Sequence, residues 1–132
     1  MQFLIDNIIL VAAAIASGVM LLLPAIQRRG AGSGLDTLAA TRLINDSHAV
    51  VVDVRDPAEF AAGHLPNARN IPMAELERRA GELSGSKPVL VCCATGARSG
   101  RATAVLAKDG RKVFNLAGGL KAWREAGLPL VR

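Results

Sequence analysis

The sequence predicts an α/β domain with a largely parallel sheet flanked by helices, preceded by one N-terminal transmembrane helix. Three observations carry this. Continuous apolar runs rich in β-branched residues, AVVVDV at 49–54, VLVC at 89–92 and VFNL at 113–116, have the character of strands covered on both faces. Helical stretches separate them, and strict alternation of strand and helix favours a parallel sheet with helices on both sides. Residues 8–26 form a nineteen-residue run without a charge.

That run, wound as a helix, is about 28 Å long, close to the hydrocarbon thickness of a bilayer. Asp6 and Asn7 mark its start, and Pro24 with Arg28 and Arg29 its end. A secretory signal would carry its positive charge before the apolar run, whereas here an acid precedes it and two arginines follow. Arginines flanking a span stay on the cytoplasmic side, which puts the C-terminal domain there. The expected organisation is a single-pass membrane anchor with basic flank at 1–29, a Gly-rich linker at 30–34 and one domain at 35–132.

Within the domain, Leu35 opens a short strand, and Asp36 or Thr37 caps a helix through Leu38, Thr41, Leu43 and Ile44. After the strand at 49–54, Asp56 and Pro57 form an N-cap with proline at the first helical position, and Gly63 ends that short helix. Residues 68–71 form a brief edge strand, and 73–80 a helix. The strand at 89–92 leads into a loop, a helix spans 99–109 before Gly110, and 113–116 is the third core strand.

Composition narrows the function. The formal charge is +5, with all 16 Lys and Arg at or after Arg28, yet Phe3, Phe60, Phe114 and Trp123 are the only aromatics. A stacking platform for bases is not evident, so no nucleic-acid partner is expected. The two cysteines, Cys92 and Cys93, are adjacent, too close for an ordinary disulfide and without the company a metal site needs. Free thiols suit a reducing compartment.

In a parallel sheet the reactive site lies at the carboxyl ends of the strands. The strand 89–92 ends directly in Cys93, followed by Ala94, Thr95, Gly96, Ala97, Arg98 and Ser99. Backbone N–H groups of Ala94 to Ala97 can form an anion-binding nest, a helix N-terminus adds its dipole, and Arg98 adds a full charge. All favour thiolate over thiol. Strand alternation sends Cys92 to the opposite side, as a packing residue.

Three stretches, VVDVRDPAEFAAGHLPNARNIP at 51–72, VCCATGARS at 91–99 and VFNLAGGLKAW at 113–123, give the chain from Leu35 onward a resemblance to the rhodanese family. The resemblance implies a sulfurtransferase in which Cys93 takes a sulfane sulfur from a small sulfur-containing anion, carries it as a persulfide and passes it to a thiol or other thiophilic acceptor. No metal or organic cofactor is implied. Arg98, five positions after Cys93, matches the family's loop arginine; with the loop amides it binds the anion, and Ser99 adds a hydrogen-bond donor. The N-terminal run, the TRLI helix and the LPLVR ending resemble the small membrane-bound rhodaneses of bacterial inner membranes.

Two alternatives stay open. Some rhodanese-like domains are protein-interaction modules, which an anchored copy would use to recruit a protein partner to the membrane. Phosphatases or arsenate reductases of this fold place five residues between cysteine and arginine. Counting from Cys93 gives four; counting from Cys92 gives five. Other residues have duller readings: Arg55 pairs with Glu59 or Asp56, His64 is a turn hydrogen bonder, Asn67 tolerates positive φ in place of glycine, and Trp123 packs in the last helix.

Overall fold

A computed structural model describes residues 1–132 except 31, 32, 84 and 109, and gives backbone only for 23–30 and 33. The chain divides into two compact units, Met1–Gly30 and Ala31–Arg132.

The first unit consists of α1 (Gln2–Asp6) and α2 (Ile8–Gly30). Pro24 does not end α2, which continues to Gly30. Among the described residues no helix is long and apolar enough to cross a membrane, so the expected transmembrane helix is not found there. The described side chains of α2 run from Ile8 to Leu22. The rest of the charge-free run and the Arg28–Arg29 flank lie outside the described side chains.

The second unit is a five-stranded, wholly parallel sheet in the order β1-β5-β4-β2-β3. Its elements are β1 (Ser33–Leu35), α3 (Thr37–Ser47), β2 (Val50–Asp53), α4 (Pro57–Ala62), β3 (Arg69–Asn70), α5 (Leu76–Arg79), β4 (Val89–Cys92), α6 (Ala97–Ala107), β5 (Val113–Leu116) and α7 (Gly119–Glu125). Ser33 and Gly34, expected in the linker, instead pair with Phe114 and Asn115 of β5. The linker residues Ala31 and Gly32 lie outside the described residues.

The caps explain where helices begin. Asp36 accepts from Ala39 N at 2.7 Å and starts α3. Asp56 and Glu59 form a capping box around Pro57 and start α4. The helix expected at 73–80 is divided into a 3₁₀ turn (Met73–Glu75), the single turn of α5 and a second 3₁₀ turn (Ala80–Glu82). Its first residue is held to the end of β2 by Met73 N donating to Val54 O. Helix α6 starts at Ala97, two residues before expectation, and ends at Ala107; Asp109, its expected last residue, lies outside the described residues.

Alternation along β4 feeds two cores. Val89, Val91 and Cys93 pack with Val52, Ile71, Leu76 and Leu106 on one face. Leu90 and Cys92 pack with Val51, Leu65, Leu116 and Trp123 on the other. Burying a side chain of this size is worth about 1.5–3 kcal/mol, so the central strand, fully buried along its length, fixes where its carboxyl end lies.

Candidate active site

The carboxyl end of β4 passes into Cys93, which is only 1% exposed. Gly96 N donates to its Sγ at 3.0 Å, and the Ser99 hydroxyl lies 3.3 Å from the same sulfur. Ser99 is fully buried on the first turn of α6. Burial pushes the Cys93 thiol up, but the Ser99 hydroxyl and the Ser99, Thr95 and Gly96 amides outweigh it and hold the thiol below its ordinary range.

Cys92 is the opposite case. Burial, with the Asp53 carboxylate nearby, pushes its thiol well up, against a smaller lowering by Arg55. Both thiols are buried in apolar cores, but Gly96 N and Ser99 Oγ are directed at the Cys93 sulfur, whereas Cys92 lies beside Asp53 and Arg55.

The loop has its shape because of what it rests on. Gly96, the N-cap of α6, has φ 95°, and a Cβ there would come within 3.2 Å of Gly118 N. Gly119, at φ 58°, lies so close that a Cβ would overlap Cys93 O and Ala94 C at 2.3 and 2.7 Å. That approach lets Leu120 N donate to Cys93 O at 2.9 Å and Lys121 N to Ala94 O at 3.1 Å. Only glycine fits here.

Of the loop residues expected to bind an anion, Gly96 directs its amide and Ser99 its hydroxyl to the sulfur, and the Thr95 and Ser99 amides favour its charged form. Ala94 is tied to α7 through its carbonyl, and Ala97 opens α6 on the exposed side. Arg98 differs most from expectation. Its two Nη atoms donate to the two Glu59 carboxylate oxygens at 2.9 and 3.0 Å. This pairing raises the guanidinium and holds the Glu59 carboxyl below its usual range. The loop itself contains no acid, but α4 supplies one from 39 residues away.

The expected pairing of Arg55 with Glu59 or Asp56 is accordingly wrong. Arg55 Nε and Nη2 bind the fully buried Asp53 carboxylate at 2.7–3.0 Å, and Nη2 also donates to Gly63 O. Residues two apart at the end of a strand share a face, so the partner was local. Asn70 caps the arrangement by donating to Asp53 O and Arg55 O. His64 Nδ1 lies 2.8 Å from Phe60 O with its ring stacked on Phe60, and its backbone pairs with Val131, as suits a turn residue. Asn67 has φ 61°. Trp123 is buried in α7, its Nε1 donating to Pro129 O.

Sequence reasoning missed Asn115, which binds both Ser99 Oγ and Gly96 O, and the steric demand at Gly118 and Gly119. The double glycine after a core strand was the available signal for the second. Among the described residues no cluster of three His, Cys, Asp or Glu side chains is placed to hold a metal ion.

A wholly parallel sheet thus delivers a cysteine from its central strand into a loop and the N-terminus of a helix, with Gly96 N and Ser99 Oγ beside its sulfur. The rhodanese-like domain profile matches residues 37–126, and the chain belongs to that family. It is similar to the uncharacterized YqhL protein of Bacillus subtilis, 46% identical over 76 residues, which is 57% of this chain and 60% of that protein. A sulfurtransferase of Allochromatium vinosum is 41% identical over 91 residues, covering 68% of this chain and 85% of the relative. The crystal structure of a rhodanese-related protein from Thermoplasma volcanium superposes with a TM-score of 0.68 at 34% identity, over 75% of this chain and 97% of that one.

Proposed function

We propose that the protein is a sulfurtransferase that moves a sulfane sulfur from a small anionic donor to a thiol acceptor through a Cys93 persulfide. The observation that carries this reading is the Cys93 sulfur held by Gly96 N and Ser99 Oγ at the end of the central strand. The relative named a sulfurtransferase supports it. With thiosulfate as donor, the Cys93 thiolate attacks the outer sulfur, a Cys93 S–S bond forms, and the donor S–S bond breaks with its electron pair leaving on sulfite. The negative charge then rests on the outer persulfide sulfur. An acceptor thiolate attacks that sulfur, forms its own persulfide and returns Cys93 as thiolate, so neither step needs an external oxidant or reductant.

In this reading Thr95, Gly96 and Ser99 hold the charge on sulfur, Ala94 and Ala97 leave room for the donor, and Arg98 supplies a cation steadied by Glu59. The phosphatase frame needs Cys92 as nucleophile. Its burial in the apolar second core and its raised thiol speak against that.

The reading extends to a membrane-anchored, single-domain protein, organised as a helical anchor at 1–29, a short linker and the domain beyond. Support comes from the charge-free run and from Ile8, Ile9, Leu10, Ile15, Met20 and Leu21, all apolar and exposed along α2. The arginines after the run support a cytoplasmic side for the domain, and the resemblance to small membrane-bound rhodaneses supports a bacterial inner membrane. Recruitment of a protein partner is compatible with the same chemistry.

The test is turnover. Detergent-purified protein supplied with thiosulfate or polysulfide and a small thiol should generate the acceptor persulfide repeatedly. Ready hydrolysis of aryl phosphates with no sulfur uptake would overturn the assignment.

A further inference from the structure

Asn115 lies on β5, beside Val91 in the sheet register and therefore on the α6 side two residues before Cys93. Its Oδ1 accepts a hydrogen bond from Ser99 Oγ, and its Nδ2 donates to Gly96 O at 3.2 Å. Thus one side chain is bonded to Gly96 and Ser99, two of the residues that donate to the Cys93 sulfur. Ser99 is fully buried, so no water competes for its hydroxyl.

A serine hydroxyl has one proton. Two acceptors, Cys93 Sγ and Asn115 Oδ1, stand within reach of it here, and it can satisfy only one at a time. Which one wins depends on the charge on sulfur, because a hydrogen bond to an anion is roughly twice as strong as one to a neutral acceptor.

We infer that Asn115 is a positioning residue that holds the Ser99 hydroxyl proton while the Cys93 sulfur is neutral and releases it to the sulfur when that sulfur is an anion. The inference rests on Cys93 being the working thiolate. In the resting thiolate, Ser99 Oγ–H points to Sγ. Once a persulfide forms, the charge sits on the outer sulfur, Sγ becomes a weak acceptor, and the hydroxyl rotates to Asn115 Oδ1. No covalent bond to hydrogen breaks. The buried hydroxyl has a good acceptor in both halves of the cycle, whereas without Asn115 it would fall back on the weak acceptor Sγ whenever sulfur is loaded.

The fixed charges around the site, of which Arg98 feels the charge on Cys93, are the same in both halves of the cycle. Arg98 is engaged by Glu59 of α4, and Asp53 and Arg55 at the end of β2 are paired with each other beside Cys92.

The experiment titrates Cys93 in the full-length protein in detergent, by iodoacetamide alkylation rate against pH on a Cys92→Ala background. Asn115→Val removes the competing acceptor, leaves Sγ as the hydroxyl's acceptor and should lower the Cys93 midpoint. Asn115→Asp has the same shape, strengthens the competitor and adds negative charge; it should raise the midpoint by about one unit. The downward shift of Asn115→Val should vanish in Ser99→Ala, through which it acts. Shifts in the same direction for both variants, no shift in either, or an Asn115→Val effect that survives in Ser99→Ala would overturn the inference. If Asn115→Val does not fold, Asn115→Asp still decides, since an unchanged midpoint there sinks it. The titration uses no sulfur donor, so its failure leaves sulfur uptake as a separate result, and failed uptake leaves the titration standing.

Discussion

Replacing Gly119 with alanine should loosen the cysteine loop from the helix behind it. The left-handed φ of 58° costs a residue with a Cβ about 1–2 kcal/mol. Beyond that, the new Cβ meets backbone atoms of Cys93 and Ala94 at 2.3 to 2.8 Å, and backbone cannot rotate aside as a side chain can. Separation must stretch the hydrogen bonds from Leu120 N to Cys93 O and from Lys121 N to Ala94 O, each worth about 1 kcal/mol. The total is about 3–4 kcal/mol, a large share of the roughly 5–15 kcal/mol that stabilises a domain. Gly127→Ala is the control: its φ of 74° carries the same strain, but a Cβ there meets nothing within 4 Å. Urea unfolding should shift the Gly119→Ala midpoint down by at least twice as much as that of Gly127→Ala, with unchanged slope. The Cys93 alkylation midpoint should rise in Gly119→Ala alone. Equal effects of the two variants on both measurements would refute the reasoning.

Asp53→Ala should cost about 3–5 kcal/mol in urea unfolding, because it strands the buried Arg55 guanidinium; a loss below 1 kcal/mol would contradict the pairing. The Cys93 thiol is held below its ordinary range in the folded protein, so its contribution to stability is present above the unfolded thiol value, about 8.5, and is lost as pH falls through the folded value. The stability gap between wild type and Ser99→Ala should therefore widen with rising pH; a constant gap would contradict the role of Ser99. Full-length protein should require detergent for extraction, and release by carbonate alone would remove the anchor. A tag after Arg132 should be degraded by external protease only once cells are opened; degradation in intact cells would reverse the topology.

Local pattern carried much of the fold. The β-branched runs became β2, β4 and β5, and the Asp56-to-Glu59 spacing became a capping box. The loop was legible because Cys93 follows a buried strand and precedes a helix. Features that depend on distant pairing were not. Glu59 meets Arg98 across 39 residues, and Asn115 reaches Ser99 because β5 lies beside β4, a register no single segment encodes. Arg55 is a different kind of miss, since Asp53 two residues earlier was within the reach of strand geometry. Periodicity likewise registers neither the division of the 73–80 stretch nor the bond from Met73 N to Val54 O at its start.

The most direct test is intact-mass analysis after exposure to thiosulfate or polysulfide. A gain of one sulfur, about 32 Da, is expected in wild type and in Cys92→Ala, reversed by a thiol acceptor, and absent in Cys93→Ser, where oxygen cannot form a persulfide. A gain that persists in Cys93→Ser and disappears in Cys92→Ala would contradict the assignment of Cys93.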